Sequence, residues 1–135
     1  MRLLGLDWGT SKVGIAISDP LGITAQPLHY LKNDATLMNA ISSLIDKNSV
    51  EAIILGFPKN MNGSEGDSAD HVKEFRDKLA GGLGIEVKLW DERLTTKTAM
   101  RTLIDSDVSR KKRKQIIDSA SACVMLQGYM DSIRK

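Results

Sequence analysis

Three acidic residues stand where they could hold a divalent cation: Asp7, Glu92 and Asp118. Asp7 closes an apolar run that begins at Arg2. Glu92 follows a second run, one residue after Asp91. Asp118 lies in a helical stretch among Ser119, Ala120, Ser121 and Ala122. Small residues of this kind let a helix approach a sheet closely. An acid held in such a contact must be paired or bind a cation, because an unpaired buried charge is costly. Three carboxylates in one cleft repel one another, and hard oxygen-seeking ions such as Mg²⁺ or Mn²⁺ relieve that repulsion. Two such ions roughly 3.5–4 Å apart activate a water and stabilise the leaving oxygen of a phosphodiester. Each acid alone reads more readily as a turn, cap or surface residue. Asp91 competes with Glu92, since strand alternation sets the two on opposite faces, and the sequence favours neither.

That chemistry requires strand ends that converge, as they would if the strands carrying Asp7 and Glu92 were neighbours. Short apolar segments bounded by turn residues predict strands at 2–7 and 13–18, with a third near 23–31. From Asp34, a plausible N-cap, the spacing of Leu37, Ile41, Leu44 and Ile45 predicts a helix. Val50 to Leu55 is a continuous apolar run, as in a strand buried on both faces. A loop rich in Gly, Pro and Asn spans 56–66. A second helix is expected over 67–79, with Val72, Phe75 and Leu79 inward and Gly81, Gly82 and Gly84 ending it. A strand at 85–90 and helices near 95–104 and 110–132 complete the chain. A hairpin start followed by alternating helices and strands predicts an α/β fold. Its five-stranded mixed sheet has an antiparallel arrangement of the first three strands and is flanked by helices.

The chain of 135 residues, 41% of them hydrophobic, fits a single domain over 1–135. One cysteine, Cys123, forms no internal disulfide and reads as a core thiol in a reducing compartment. No apolar run approaches the roughly 18 residues that span a bilayer, and the apolar start is broken at Gly5 and Asp7. The expectation is a cytoplasmic protein with no membrane partner. The net charge is +2, yet Arg110, Lys111, Lys112, Arg113 and Lys114 supply five positive charges in one run. Removing them turns the balance to −3, so the basicity is local, as in a patch that meets phosphates. The same run would also serve as a solvated helix start.

Four ordered segments resemble the YqgF/RuvX family: Gly5-Leu6-Asp7-Trp8-Gly9-Thr10-Ser11-Lys12-Val13-Gly14-Ile15-Ala16, the loop 56–66, Asp91-Glu92-Arg93-Leu94-Thr95-Thr96, and the stretch from Lys114 through Asp118 to Asp131. Members of that family are described as pre-16S rRNA nucleases or Holliday-junction resolvases. The resemblance implies a ribonuclease H-like fold and an acidic triad of Asp7, Glu92 and Asp118. It also implies a metal-dependent nuclease acting on structured RNA such as pre-rRNA, or on branched DNA, as a monomer or weak homodimer. Ser11-Lys12 departs from the family's usual Lys-Arg pair, so Lys12 would meet a phosphate as a point charge and not as a bidentate fork. Ser119 and Ser121 stand where small apolar residues are common.

Further nucleic-acid contacts are expected from Lys59, Asn62 and Ser64 in the glycine-rich loop, where backbone amides could approach phosphates, from Arg93 and Thr95, and from Arg110 to Lys114. Thr95 could instead cap the next helix. Trp8 and Trp90 could stack on bases but read better as core residues. His29 and His71 lack zinc-ligand spacing. Two other readings remain. One is an actin-like ATPase or sugar kinase, whose phosphate-binding hairpin Asp7 to Ala16 also resembles, but one domain's worth of chain lacks the second jaw unless it dimerises. The other is a non-catalytic nucleic-acid or ribosome-associated binding module, for which three repelling carboxylates would serve no purpose.

Overall fold

The computed structural model describes residues 2–57, 67–91 and 110–133, with backbone alone at 67–68 and 110–118. Among the described residues five strands and three helices follow in order: β1 (Arg2–Asp7), β2 (Lys12–Ser18), β3 (Ala25–Lys32), α1 (Leu37–Asn48), β4 (Val50–Phe57), α2 (Asp67–Leu83), β5 (Glu86–Asp91) and α3 (Arg110–Ile133). The strands form one mixed sheet in the order β3-β2-β1-β4-β5. β1 pairs antiparallel with β2, and β2 with β3, while β1–β4 and β4–β5 are parallel. This is the expected architecture. The anticipated loop at 56–66 begins later, because Gly56 and Phe57 still belong to β4, and its remainder lies outside the described residues. The helix expected near 95–104 lies outside them as well.

Each face of the sheet buries its own core. Leu4, Leu6, Val13, Ile15, Ile53 and Leu55 point towards α1 and α2, where Ile41, Val72, Phe75 and Leu79 meet them. Leu3, Ala16, Ala52 and Ile54 point the other way, against Ala122, Cys123, Met125, Leu126 and Met130 of α3. This two-sided burial explains the unbroken apolar run of β4, a strand covered on both faces. Cys123 is the expected core thiol, and burial pushes its pKa up to about 11.

Two helix ends differ from expectation. Thr36, not Asp34, precedes α1. The Asp34 carboxylate accepts the Thr36 hydroxyl and backbone N–H, bonds that hold it below the usual carboxylate range. Helix α2 runs through Gly81 and Gly82 to Leu83. The glycine that ends it is Gly84, at φ +62°, a left-handed conformation that glycine adopts without steric cost. Among the described residues no helix is long and apolar enough to cross a membrane.

Candidate functional site

Because β1, β4 and β5 are parallel, their C-terminal ends share one edge of the sheet. Asp7 is the last residue of central β1. Leu4 and Leu6 point to the α1/α2 side, so alternation sends Gly5 and Asp7 to the α3 side. Asp7 is half-buried there, and its carboxylate makes no hydrogen bond or ion pair with another described residue. Its cross-strand partner on β2 is Gly14. On β4 the register Leu6↔Leu55 brings Gly56 beside it. Both flanks of the carboxylate therefore lack side chains, which leaves room for a ligand directly against it.

Helix α3 lies over this face. A Cβ on Gly5 would come within 3.0 Å of Leu126 Cβ and 3.2 Å of the Ala122 carbonyl oxygen. Only glycine admits the helix so close to the central strand. The helix runs antiparallel to β1. Gln127 Oε1 accepts the N–H of Ala25 at the start of β3 (2.9 Å), while Ser119 Oγ accepts the N–H of Ile15 (3.1 Å), whose partner on β1 is Leu6. The backbone of Asp118, one residue before Ser119, therefore stands beside the end of β1 that carries Asp7. Ser119 is fully buried. Its hydroxyl serves the Ile15 N–H where the β2–β3 register shifts between Val13 and Ile15, which gives a serine a structural role here.

The strands bearing Asp7 and Asp91 are not neighbours, because β4 stands between them. Two strand spacings put their axes about 9–10 Å apart. Val87 and Leu89 pack on the α1/α2 core, and Trp90 packs against the α3 core with its ring edge on Tyr129. Alternation then turns Asp91 to the α1/α2 side, away from the face of Asp7. Glu92, Lys59, Asn62, Ser64, Arg93 and Thr95 lie outside the described residues. Asp118 and the run Arg110 to Lys114 lie in α3, where the helical backbone is described and the side chains are not. Among the described side chains no three His, Cys, Asp or Glu residues form a metal-binding group.

Lys12 opens β2, and its ammonium stands 4.6 Å from the centre of the Tyr30 ring, a cation–π contact across to β3. Asn33 braces the β1–β2 turn, donating from Nδ2 to Gly9 O (2.7 Å) and from its backbone N–H to Ser11 O (3.0 Å). No local pattern marked Asn33 or Tyr30, because both meet the turn only after β3 folds back. Trp8 and Trp90 are half-buried at the margins of the two cores, close to the packing role expected of them. Trp8 also stacks on His71 of α2, with ring centres 5.3 Å apart and planes 10° from parallel.

Comparison with known proteins agrees with this geometry. A family model described as "RuvX: Holliday junction resolvase" matches residues 1–132. A Clostridium botulinum protein, provisionally named a pre-16S rRNA nuclease, is 49% identical over 137 aligned residues, covering all of both chains. A Halothermothrix orenii protein of the same provisional name is 50% identical, over 97% of this chain and 95% of its own. Among solved structures, Thermus thermophilus RuvC bound to a Holliday junction substrate superposes with a TM-score of 0.65 at 12% identity, over 99% of this chain and 95% of that one. Fowlpox virus resolvase with its Holliday junction DNA gives 0.63 at 16% identity, with both chains fully covered. At such low identity these two likenesses establish the fold, which is the ribonuclease H-like fold of the resolvases. The match along nearly the whole length, with about half of the residues identical to those of the curated relatives, shows that the chain belongs to the RuvX family.

Proposed function

We propose that this chain is a metal-dependent nuclease that hydrolyses phosphodiester bonds of structured nucleic acid, and that its physiological task is maturation of the 5′ end of pre-16S rRNA. The observation that carries the reading is the Asp7 carboxylate. Among the described residues it has no partner, and it stands between two glycines at the end of the central strand, in a chain about half identical to proteins provisionally named for that activity. An aspartate there contributes nothing evident to the fold, and the open flanks suit a cation and a phosphate.

Asp7, Glu92 and Asp118 would hold Mg²⁺ or Mn²⁺. Three carboxylates are the hard oxygen donors that either ion prefers. The fit rests on Asp7, which keeps both carboxylate oxygens available, and on the approach of α3 that brings the Asp118 backbone to the same strand end. When bound, the ions would lower the pKa of a water and offset charge on the leaving oxygen. The protein's own part is to fix the carboxylates on a rigid sheet edge and to grip the strand. Lys12 would contribute one positive charge beside the edge, and Arg110 to Lys114 would meet phosphates further along. Lys59, Asn62, Ser64, Arg93 and Thr95 complete the proposed nucleic-acid contacts. We read the chain as a single domain over 1–135, working in the cytoplasm as a monomer or weak homodimer. Branched DNA is the second substrate reading, favoured by the resolvase description of the family.

The test is cleavage of labelled pre-16S rRNA fragments and of a four-way DNA junction, with Mg²⁺ or Mn²⁺ and with chelator, beside the Asp7→Asn variant. The expected result is metal-dependent cutting of the RNA, lost in the variant, while stability stays within about 0.5 kcal/mol. Cutting that survives in Asp7→Asn refutes the site. Preferred cutting of the junction replaces the RNA reading with the DNA one. Binding without cutting of either supports a non-catalytic module.

A further inference from the structure

Asp7 and Trp8 are consecutive, with Cα atoms about 3.8 Å apart, and alternation sends them to opposite faces of the sheet. On the face away from Asp7, Trp8 is half-buried against the α1/α2 core and forms one wall of a cavity of about 260 Å³. Asn33, Asp34, His71, Glu74 and Lys78 supply its polar lining. The volume lies just under the roughly 300–1,000 Å³ of drug-sized ligand sites, a scale suited to one flat heterocycle.

The chemistry of the lining selects among ligands. The indole lies nearly parallel to the His71 imidazole, so the cleft already holds one aromatic stack and offers π-faces to another ring. Asp34 and Glu74 place two carboxylates at the cleft, which disfavours a phosphate. Carboxylates accept hydrogen bonds and attract amino groups. Glu74 and Lys78 lie on exposed positions of α2, and neither makes an ion pair or hydrogen bond with another described residue. Their polar ends remain available to a ligand. A neutral, flat ring that carries amino donors for the carboxylates and ring-nitrogen acceptors for the Lys78 ammonium meets both kinds of group, whereas an anion faces two carboxylates.

We infer that this cleft receives a single unpaired base of the substrate strand, with preference for an amino-bearing base such as adenine or cytosine. The inference rests on the reading that nucleic acid crosses the Asp7 edge. A backbone held over Asp7 turns a neighbouring base past the end of β1 onto Trp8. Unstacking that base costs least where the substrate is already single-stranded or branched, so the cleft favours structured substrates with an unpaired nucleotide beside the cut.

The test needs no cleavage, so it is independent of whether the nuclease reading holds. The chain has two histidines, His29 and His71. His29 stacks on Tyr30 of β3, away from the cleft, and serves as an internal control. Ring-proton NMR of the intact protein is followed at constant pH during titration with adenosine, cytidine, uridine and inorganic phosphate. Adenosine and cytidine should move the His71 resonances saturably. Uridine should need at least about threefold higher concentration, since it lacks the amino donor that a carboxylate acceptor binds. His29 should stay in place, and phosphate should move neither. Trp8→Ala should weaken the adenosine response by about 5–150-fold, the range of one base–aromatic stack. Should that variant fail to fold, Glu74→Gln at an exposed position should erase the preference for adenosine over uridine. Parallel shifts of both histidines, a phosphate-driven shift of His71, or no shift at all overturns the proposal.

Discussion

Replacing Gly5 by alanine isolates the contact that brings α3 to the sheet. The new methyl would sit 3.0 Å from Leu126 Cβ and 3.2 Å from the Ala122 carbonyl oxygen. Neither neighbour is the far end of a flexible side chain: one is fixed to the helix backbone and the other belongs to it. The strand cannot retreat either, because β1 is hydrogen-bonded on both sides. Two effects oppose each other. Alanine restricts the unfolded chain and would stabilise by about 0.4–1 kcal/mol where it fits. Overpacking a tight core costs about 1–3 kcal/mol. The clash should win, leaving a net loss of about 1–2 kcal/mol. With an m-value of about 1–3 kcal/mol/M, the urea midpoint should fall by about 0.3–2 M with unchanged slope. The helix should lift by a few tenths of an ångström, and cleavage should drop further than the small unfolded fraction explains, since misplacing a catalytic group by about 1 Å can cost 10²-fold. Stability equal to or above that of the parent would refute the reasoning, because it would mean that α3 does not need glycine beneath it.

Ser119→Ala removes the hydroxyl that accepts the Ile15 N–H at 3.1 Å, and losing this buried hydrogen bond should cost about 0.5–3 kcal/mol; a urea midpoint unchanged from the parent would show that the bond contributes nothing to stability. Cys123 gives a pH signature. Its thiol ionises near 9.0 in the absence of burial and at about 11 in the fold, so unfolding releases a proton between those values. The stability from the buried thiol is therefore complete below pH 9 and declines as pH rises towards 11. Urea midpoints at pH 8 and pH 10 should differ less in Cys123→Ala than in the parent, and an equal difference would contradict the assignment.

The order of strands and helices along the chain was readable because each strand carries its own signature: alternation bounded by turns in β2, and an unbroken apolar run in β4. Gly81 and Gly82 misled because helix propensity is a weak local term. The packing of Phe75 and Leu79 carries α2 through both glycines to Leu83, and only Gly84 has the positive φ that stops it. The three acids stood out by position, but the spacing between strands did not, since the insertion of β4 between β1 and β5 is a property of the topology. Among the described residues, the hydrogen-bonding roles of the buried serines Ser18 and Ser119 were not legible either. Ser18 Oγ accepts the Leu3 N–H where the β1–β4 register shifts, as Ser119 does for Ile15 on the other side of β1. Each accepts a strand N–H beside an irregularity that exists only once the sheet has formed.

Strand parity turns Asp91 away from the face of Asp7, which supports the proposed role of Glu92. Two consecutive acids cannot both face α3 from one regular strand. Lys88 and Trp90 hold the α3 side, where Lys88 donates to the Tyr129 hydroxyl (3.2 Å) and Trp90 meets the Tyr129 ring edge-on. Val87 and Leu89 hold the opposite side and are packed into a core that a one-residue slip would expose. Asp91 is paired in register with Phe57, which is buried on the α1/α2 side, and so shares that side. It cannot join Asp7 without breaking the register of β5. Asp91→Asn should therefore keep cleavage within about threefold of the parent, as expected for a residue outside the reacting site, whereas Glu92→Gln should fall to background as Asp7→Asn does. The reverse pattern, with activity lost in Asp91→Asn and kept in Glu92→Gln, would mean that the chain changes face at the end of β5 and that the triad reaches the metal through Asp91.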